Sequence, residues 1–169
     1  MPRLHALELV PDDDGRDLVL RDWQVLRDLG LPSQLDHAGA GNTPHLTVVS
    51  APAVTGAVEE LAVARLGPLL PVRLRVAGVV LLGGAQVTVA RAVDADDALV
   101  RAVLDVRAAT DARQHDGWLP HVTLGRRVPR AEAGRVLAAL DHRPAELLLV
   151  ELRRWDPDTN AVVTLARAD

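Results

Sequence analysis

The chain has 169 residues, of which 49% are hydrophobic and 25% charged, with a formal net charge of −4. This length suits one domain with a proper core and is short for two, and the charge lacks the basic excess of a general nucleic-acid binder. No Cys occurs, which excludes a disulfide framework and any Cys-based metal site. All 19 basic residues are Arg, Phe and Tyr are absent and Trp occurs three times, so any stacking on a base falls to Trp, His or Arg. No apolar run approaches the ~18–20 residues needed to cross a bilayer. The opening MPRLHALEL lacks the ordered features of a secretory signal, so the cytoplasm is the expected location.

In chain order, Leu4 to Val10 alternates loosely and predicts a strand. Pro11 to Gly15 reads as a turn whose Asp residues cap the next helix. Residues 16–29 place Leu18, Trp23, Leu26 and Leu29 near helical spacing, with Gly30 as the stop. Residues 33–42 form a small-residue loop, and His45 to Ser50 reads as a strand. A helix runs from Thr55 to about Leu66 and is closed by Gly67 and Pro68. Val72 to Leu82 and Gln86 to Val93 flank the Gly83–Gly84 turn and predict a hairpin. Asp94 to Asp97 precedes a helix over 98–112. His121 opens a short strand through Leu124, and Pro129 and Ala131 begin a helix to about Leu140. Glu146 to Trp155 and Ala161 to Ala168, joined by DPDTN, predict a second hairpin.

This order nearly repeats itself: a strand carrying His-x-Thr, a helix, then a hairpin, in each half of the chain. Hairpins point to antiparallel pairing and an α+β class. The expectation is one domain, residues 1–169, of two pseudo-symmetric lobes. Each lobe has antiparallel sheet and outer helices and carries one His-x-Thr, and a central cleft lies between them.

The two repeated segments are TPHLTVV at 43–49 and LPHVTLG at 119–125, with their histidines 76 residues apart (121 − 45). In a strand, positions i and i+2 share a face. His45 therefore stands beside Thr47 and His121 beside Thr123, while Leu46, Val48, Val122 and Leu124 anchor the other face. One such segment is ordinary strand chemistry. Two in matching halves, related by a pseudo-two-fold, bring two imidazoles and two hydroxyls to one cleft. Imidazole titrates near neutrality, so one ring can accept a proton while the other gives one, and the hydroxyls can hold non-bridging phosphate oxygens. Such a site suits phosphodiester chemistry, and the arrangement itself requires no metal. Which histidine plays which part is open in the sequence.

TPHLTVV and LPHVTLG resemble the paired motifs of the 2H phosphoesterase superfamily, in particular its 2′-5′ RNA ligase and cyclic phosphodiesterase group. HALELVPDDDG, DLGLPSQLDHAGAGNTPHLTV and GWLPHVTLGRRV extend the likeness over most of the chain. The resemblance implies a two-lobed α+β fold with the active cleft between lobes. It implies metal-independent hydrolysis of 2′,3′-cyclic phosphates at RNA ends or on small nucleotides, or reversible 2′-5′ ligation. His45 and His121 carry over as the catalytic pair, and Thr47 and Thr123 as phosphate-holding residues. The absence of Tyr and Phe departs from the group's stacking aromatics. The alternative is a non-catalytic RNA-end or nucleotide-binding module of the same fold.

Other residues carry weaker signals. On a continuing strand Arg127 shares the face of His121 and Thr123 and could bind phosphate. Trp118 precedes the second motif and could offer a base platform, as could Trp155, while Trp23 belongs to the core. His5 shares a face with Leu7 and Leu9 and is read either as a core residue or as lining the cleft edge. His37 lies in the loop before the first motif, and His115 and His142 are expected to be exposed. No His or carboxylate spacing completes a metal centre, so neither metal nor cofactor is expected. The partners expected are RNA ends or small cyclic nucleotides, with no membrane, and the chain is expected to be a monomer.

Overall fold

A computed structural model describes residues 3–37, 39 and 41–168. Four helices and seven strands follow one another as β1 (His5–Pro11), α1 (Asp13–Asp28), β2 (Leu46–Ala51), α2 (Gly56–Leu66), β3 (Val72–Gly83), β4 (Gln86–Asp94), α3 (Asp97–Ala108), β5 (His121–Pro129), α4 (Ala133–Ala139), β6 (Glu146–Asp156) and β7 (Ala161–Arg167). The class is α+β, as the hairpin spacing predicts, and every strand pairing is antiparallel. Three helices start where an acidic or hydroxyl side chain accepts a first-turn amide: Asp12 from Gly15, Thr55 from Val58 and Asp96 from Leu99. Each of these satisfies a donor that has no partner inside the helix. The third helix stops at Ala108, short of the expected 112, and Ala112 lies in the left-handed region at φ 50°.

The strand order is β1-β2-β5-β4-β3-β6-β7, and β6 also pairs with β1. Six strands therefore close a ring, and β7 extends the sheet from β6. Exchanging β1 with β4, β2 with β5 and β3 with β6 maps the set of ring pairings onto itself. This corrects the repeat unit expected from the sequence. The structural repeat is strand-helix-strand-helix-strand, the β3–β4 hairpin joins the two copies, and β7 has no counterpart. The sequence framed it differently because a hairpin inside a repeat and a hairpin between repeats have the same local turn signals.

The core is built from Leu, Val and Ala with one aromatic. Leu7, Leu9, Val19, Trp23, Leu26, Leu46, Leu124, Leu147, Leu149 and Leu152 are among its members. Full burial of each large side chain contributes roughly 1.5–3 kcal/mol. The helices cross between halves: α1 packs on β5 and α3 packs on β2. Each histidine-bearing strand is thus backed by the helix of the other half. Among the described residues no helix is long and apolar enough to cross a membrane.

Candidate active site

β2 and β5 meet at a single registered pair, Leu46 opposite Val122. Both side chains are about 1% exposed, so the middle residue of each His-x-Thr points into the core. Continuing the antiparallel register by one residue sets His45 against Thr123 and Thr47 against His121. Residues opposite one another in a ladder share a face. All four polar side chains therefore flank one crossing point, each histidine beside the threonine of the other motif.

Both rings are held alike. The Nδ1–H of His45 donates to the Thr43 carbonyl at 2.8 Å, and that of His121 donates to the Leu119 carbonyl at 2.7 Å. A carbonyl on Nδ1 places the N–H of a neutral ring there and leaves the lone pair on Nε2. Pro44 and Pro120 stand before each histidine and restrict the chain as it enters the strand.

Each motif strand is bulged directly after its threonine. The β1–β2 register moves from Leu7↔Val49 to Glu8↔Thr47, leaving Val48 unpaired. The β4–β5 register moves from Val89↔Gly125 to Ala90↔Thr123, leaving Leu124 unpaired. A bulge shifts the alternation by one residue. The next residue on the cleft face is therefore three positions past the threonine, Ser50 in one half and Arg126 in the other. Both line a cavity of about 500 Å³ together with Thr47, Thr123, His121 and Trp118. That volume falls in the range of small-molecule sites.

The bulge corrects the expectation for Arg127, which assumed unbroken alternation. A second register shift between Val87 and Val89 and a φ of 60° at Arg127 belong to the same irregular stretch. Arg126 lies on the cavity wall and Arg127 does not. Trp118 does line the cavity, and its indole N–H donates to the Thr47 carbonyl at 3.0 Å. His5 is not on the wall; it is buried beside Asp156 and Asp158, with Nε2 3.3 Å from Asp158 Oδ2. His5, Asp156 and Asp158 form one close cluster of metal-ligating types away from the motifs. His115, expected to be merely exposed, is exposed and also lines the cavity, while His142 is exposed and bonds the Leu137 carbonyl. His37 follows the 3₁₀ turn at residues 34–36 and is exposed. Trp155 is not on the wall, and Trp23 is core as expected, at 2% exposure.

His45 is not on the cavity wall either; its Nε2 faces Glu8 Oε1 at 3.4 Å. Sequence reasoning passed over Glu8 and its partner Arg153, although an acid inside HALELVP and an Arg inside ELRRW were signals of a buried pair. Arg107 was missed as well. It is 6% exposed and donates to the carbonyls of Val48, His115 and Gly117, tying the 113–118 loop to β2. Burial, followed by the charge of Arg113, pushes its pKa below the ordinary guanidinium value. Among the described residues two Arg and two His line the cavity and no carboxylate does, in a chain whose net charge is negative. Such a wall favours an anionic ligand.

The same fold occurs in several solved structures. E. coli LigT complexed with NADP+ superposes with a TM-score of 0.56 at 13% identity, over 100% of this chain and 96% of that one. Kluyveromyces marxianus Usb1 with uridine monophosphate gives 0.53 at 13% identity, over 96% and 98%. A Thermus thermophilus protein gives 0.55 at 14% identity, over 96% and 93%. No curated protein matches the chain in sequence. The family model of the 2′-5′ RNA ligase superfamily matches residues 10–161. That span takes in both histidine strands and both bulges, and the chain belongs to the 2′-5′ RNA ligase superfamily.

Proposed function

We propose that this protein is a phosphoesterase that opens 2′,3′-cyclic phosphates at RNA ends or on small nucleotides, with His45 and His121 as its proton-handling pair. The observation that carries this reading is the crossing at Leu46 and Val122, which gathers both His-x-Thr segments with each Nδ1 tied to a carbonyl. Water attacks phosphorus and loses a proton to one Nε2. The P–O bond to one ribose oxygen breaks, and that oxygen takes a proton from the other ring. The hydroxyls of Thr47 and Thr123 donate to the non-bridging oxygens, where negative charge builds in the transition state. With an RNA 5′-hydroxyl in place of the water, the same steps join a 2′-5′ bond: the hydroxyl loses its proton to one ring, and the 3′-oxygen leaves phosphorus and takes a proton from the other. No step calls on a metal.

Further support comes from the cavity, whose Arg and His lining suits phosphate and whose Trp118 supplies one aromatic wall. Structures of LigT hold NADP+, 3′-AMP and phosphate, and one of Usb1 holds uridine monophosphate. The experiment is a panel of 2′,3′-cyclic mononucleotides, RNA ending in a 2′,3′-cyclic phosphate and 2′-5′ dinucleotides, each assayed with and without EDTA. Hydrolysis unaffected by the chelator is expected, with a bell-shaped pH profile. Binding of 2′-phosphate nucleotides without turnover of any panel member would replace the enzyme with a binding module.

A further inference from the structure

We propose that the Arg107 end of the cavity is a second phosphate subsite, so that the substrate is a 2′,3′-cyclic phosphate carrying one more phosphate at its 5′ side. The inference rests on the proposed function and adds the substrate class.

Among the described residues the buried carboxylates and guanidiniums are Glu8, Asp22, Arg91, Arg107 and Arg153. Glu8 pairs with Arg153 and Asp22 with Arg91, each at 2.8 Å. Arg107 alone has no carboxylate beside it; Asp116, on the neighbouring loop, is exposed and pairs with Arg113. Arg107 Nη1 donates to the Val48 carbonyl at 3.0 Å, and Nη2 donates to the carbonyls of His115 and Gly117. A guanidinium presents five N–H donors, and Nε is buried here without a partner. The carbonyl dipoles orient the group and leave its net charge standing. Burial first and the Arg113 charge second hold its pKa down, with Asp116 opposing them least. A buried charge without a counter-charge is costly, and this one borders the cavity. An anion in the cavity supplies the missing charge, and a guanidinium suits phosphate oxygens.

The subsite lies on the first-motif side of the crossing. β2 and β5 run antiparallel, so the residues after Thr47 lead away from Leu46 and Val122 in one direction and those after Thr123 in the other. Arg126 follows Thr123; Arg107 is tied to Val48, the bulged residue after Thr47. The two cavity arginines therefore stand at opposite ends, with the motif threonines between them. The Arg107 end is walled by one loop. Arg107 holds it through His115 and Gly117, the Ser50 carbonyl accepts the Gln114 amide at 2.8 Å, and Trp118 stands at its end. In a ribonucleoside the base and C5′ leave one face of the ribose, and the oxygens of the cyclic phosphate leave the other. With the cyclic phosphate on the motif threonines, the base and the 5′-phosphate both point away from β2 and β5. Trp118 then stands for the first and Arg107 for the second.

The test compares kcat/KM of the native chain on adenosine 2′,3′-cyclic phosphate, on the same compound with a 5′-phosphate, and on a dinucleotide ending in a 2′,3′-cyclic phosphate. The second phosphate is expected to raise kcat/KM about tenfold or more, the scale of a hydrogen bond to a charged group. A rise with the 5′-phosphate alone identifies a small nucleotide as the source of the anion, and a rise with the dinucleotide identifies the internal phosphodiester of RNA. No rise with either overturns the proposal. Arg107→Met is expected to bring the substrates level, whatever it does to the turnover of each, because a residue that only braces the loop lowers all of them together. An undiminished preference in that variant overturns the proposal. Arg126→Met is expected to keep the preference. Its loss there puts the second phosphate at the other end and overturns the proposal even if Arg107→Met fails to fold. Calorimetric titration with adenosine 2′,5′-bisphosphate and adenosine 2′-phosphate needs no turnover, and equal affinities also overturn it. A native chain that hydrolyses no cyclic phosphate overturns the proposed function instead, while the titration still decides the subsite.

Discussion

Trp118 donates its indole N–H to the carbonyl of Thr47, and Trp23 donates its own to the carbonyl of Thr123, each at 3.0 Å. β2 and β5 share one ladder pair, so backbone groups beyond it need other partners. The two indoles, one from each half, take the carbonyls of the two motif threonines. Trp118→Phe keeps an aromatic wall and removes the donor. It should cost about 1–2 kcal/mol in denaturant unfolding, the scale of one lost and unreplaced hydrogen bond, with a small change in KM. Trp118→Ala should add a clear rise in KM, because the cavity loses that wall.

The crossing at Leu46 and Val122 predicts matched effects in the two motifs. His45→Ala and His121→Ala should each lower kcat on a cyclic nucleotide by roughly 10² or more. Thr47→Val and Thr123→Val keep strand propensity and volume while removing a donor to the developing charge. They should lower kcat by about 10²-fold with little change in melting temperature. Near-native turnover in either histidine variant would end the two-histidine mechanism.

Arg126 and Arg127 are adjacent in sequence and differ in placement. Arg126→Met should raise KM about tenfold or more for an anionic substrate, as expected when a hydrogen bond to a charged group is lost. Arg127→Met should leave KM within about twofold. Steady-state kinetics on one cyclic nucleotide separates the two, and the reverse ranking would mean that the strand alternates without its bulge.

Gly125 has no room for a side chain. An added Cβ would press on the Pro32 carbonyl oxygen and lie 2.7 Å from Leu26 Cδ2. The first obstacle is backbone and the second is core, and neither yields easily. Gly125→Ala should destabilise the fold by about 1–3 kcal/mol, read from the midpoint of urea unfolding.

The turn leading to the first motif carries an acid-sensitive clasp. Asp36 Oδ2 accepts the Ser33 amide at 2.9 Å, and Oδ1 accepts from Arg27 Nη2 at 2.9 Å. The amide first and the guanidinium second hold this carboxyl below its ordinary value of 3.8. Because the folded pKa is depressed, the stabilisation is fully present above the unfolded value and is lost as pH falls through the folded one. The native chain should therefore melt higher than Asp36→Asn at neutral pH, and the difference should shrink to nothing in strong acid. A constant difference across the acid range would assign it to something other than this charge.

The His-x-Thr segments could be read from the sequence because period-2 alternation holds through residues 45–47 and 121–123. Legibility ended at Val48 and Leu124, where two bulges shift the phase. A bulge depends on the partner strand, and no residue in TVV or TLG announces it. Arg127 was misplaced for that reason, and Ser50 was overlooked. The ring closure was hidden as well, since it depends on β6 returning to β1 across the length of the chain. Glu8 and Arg153 were visible as charges inside apolar strands, but their pairing spans residues 8 and 153 and depends on the same closure. Trp23, the capped helix starts and the two hairpins were legible because local spacing decides them.

The six-strand ring is fastened unevenly. On one side β3 and β6 are zipped by four registered pairs; on the other, β2 and β5 are joined by Leu46 and Val122 alone. The ring is closely laddered at its back and sparsely joined at its mouth, in the manner of a clip. Any widening of the cleft would strain one backbone bridge and two indole contacts. The four motif side chains flank that sparsest joint of the ring.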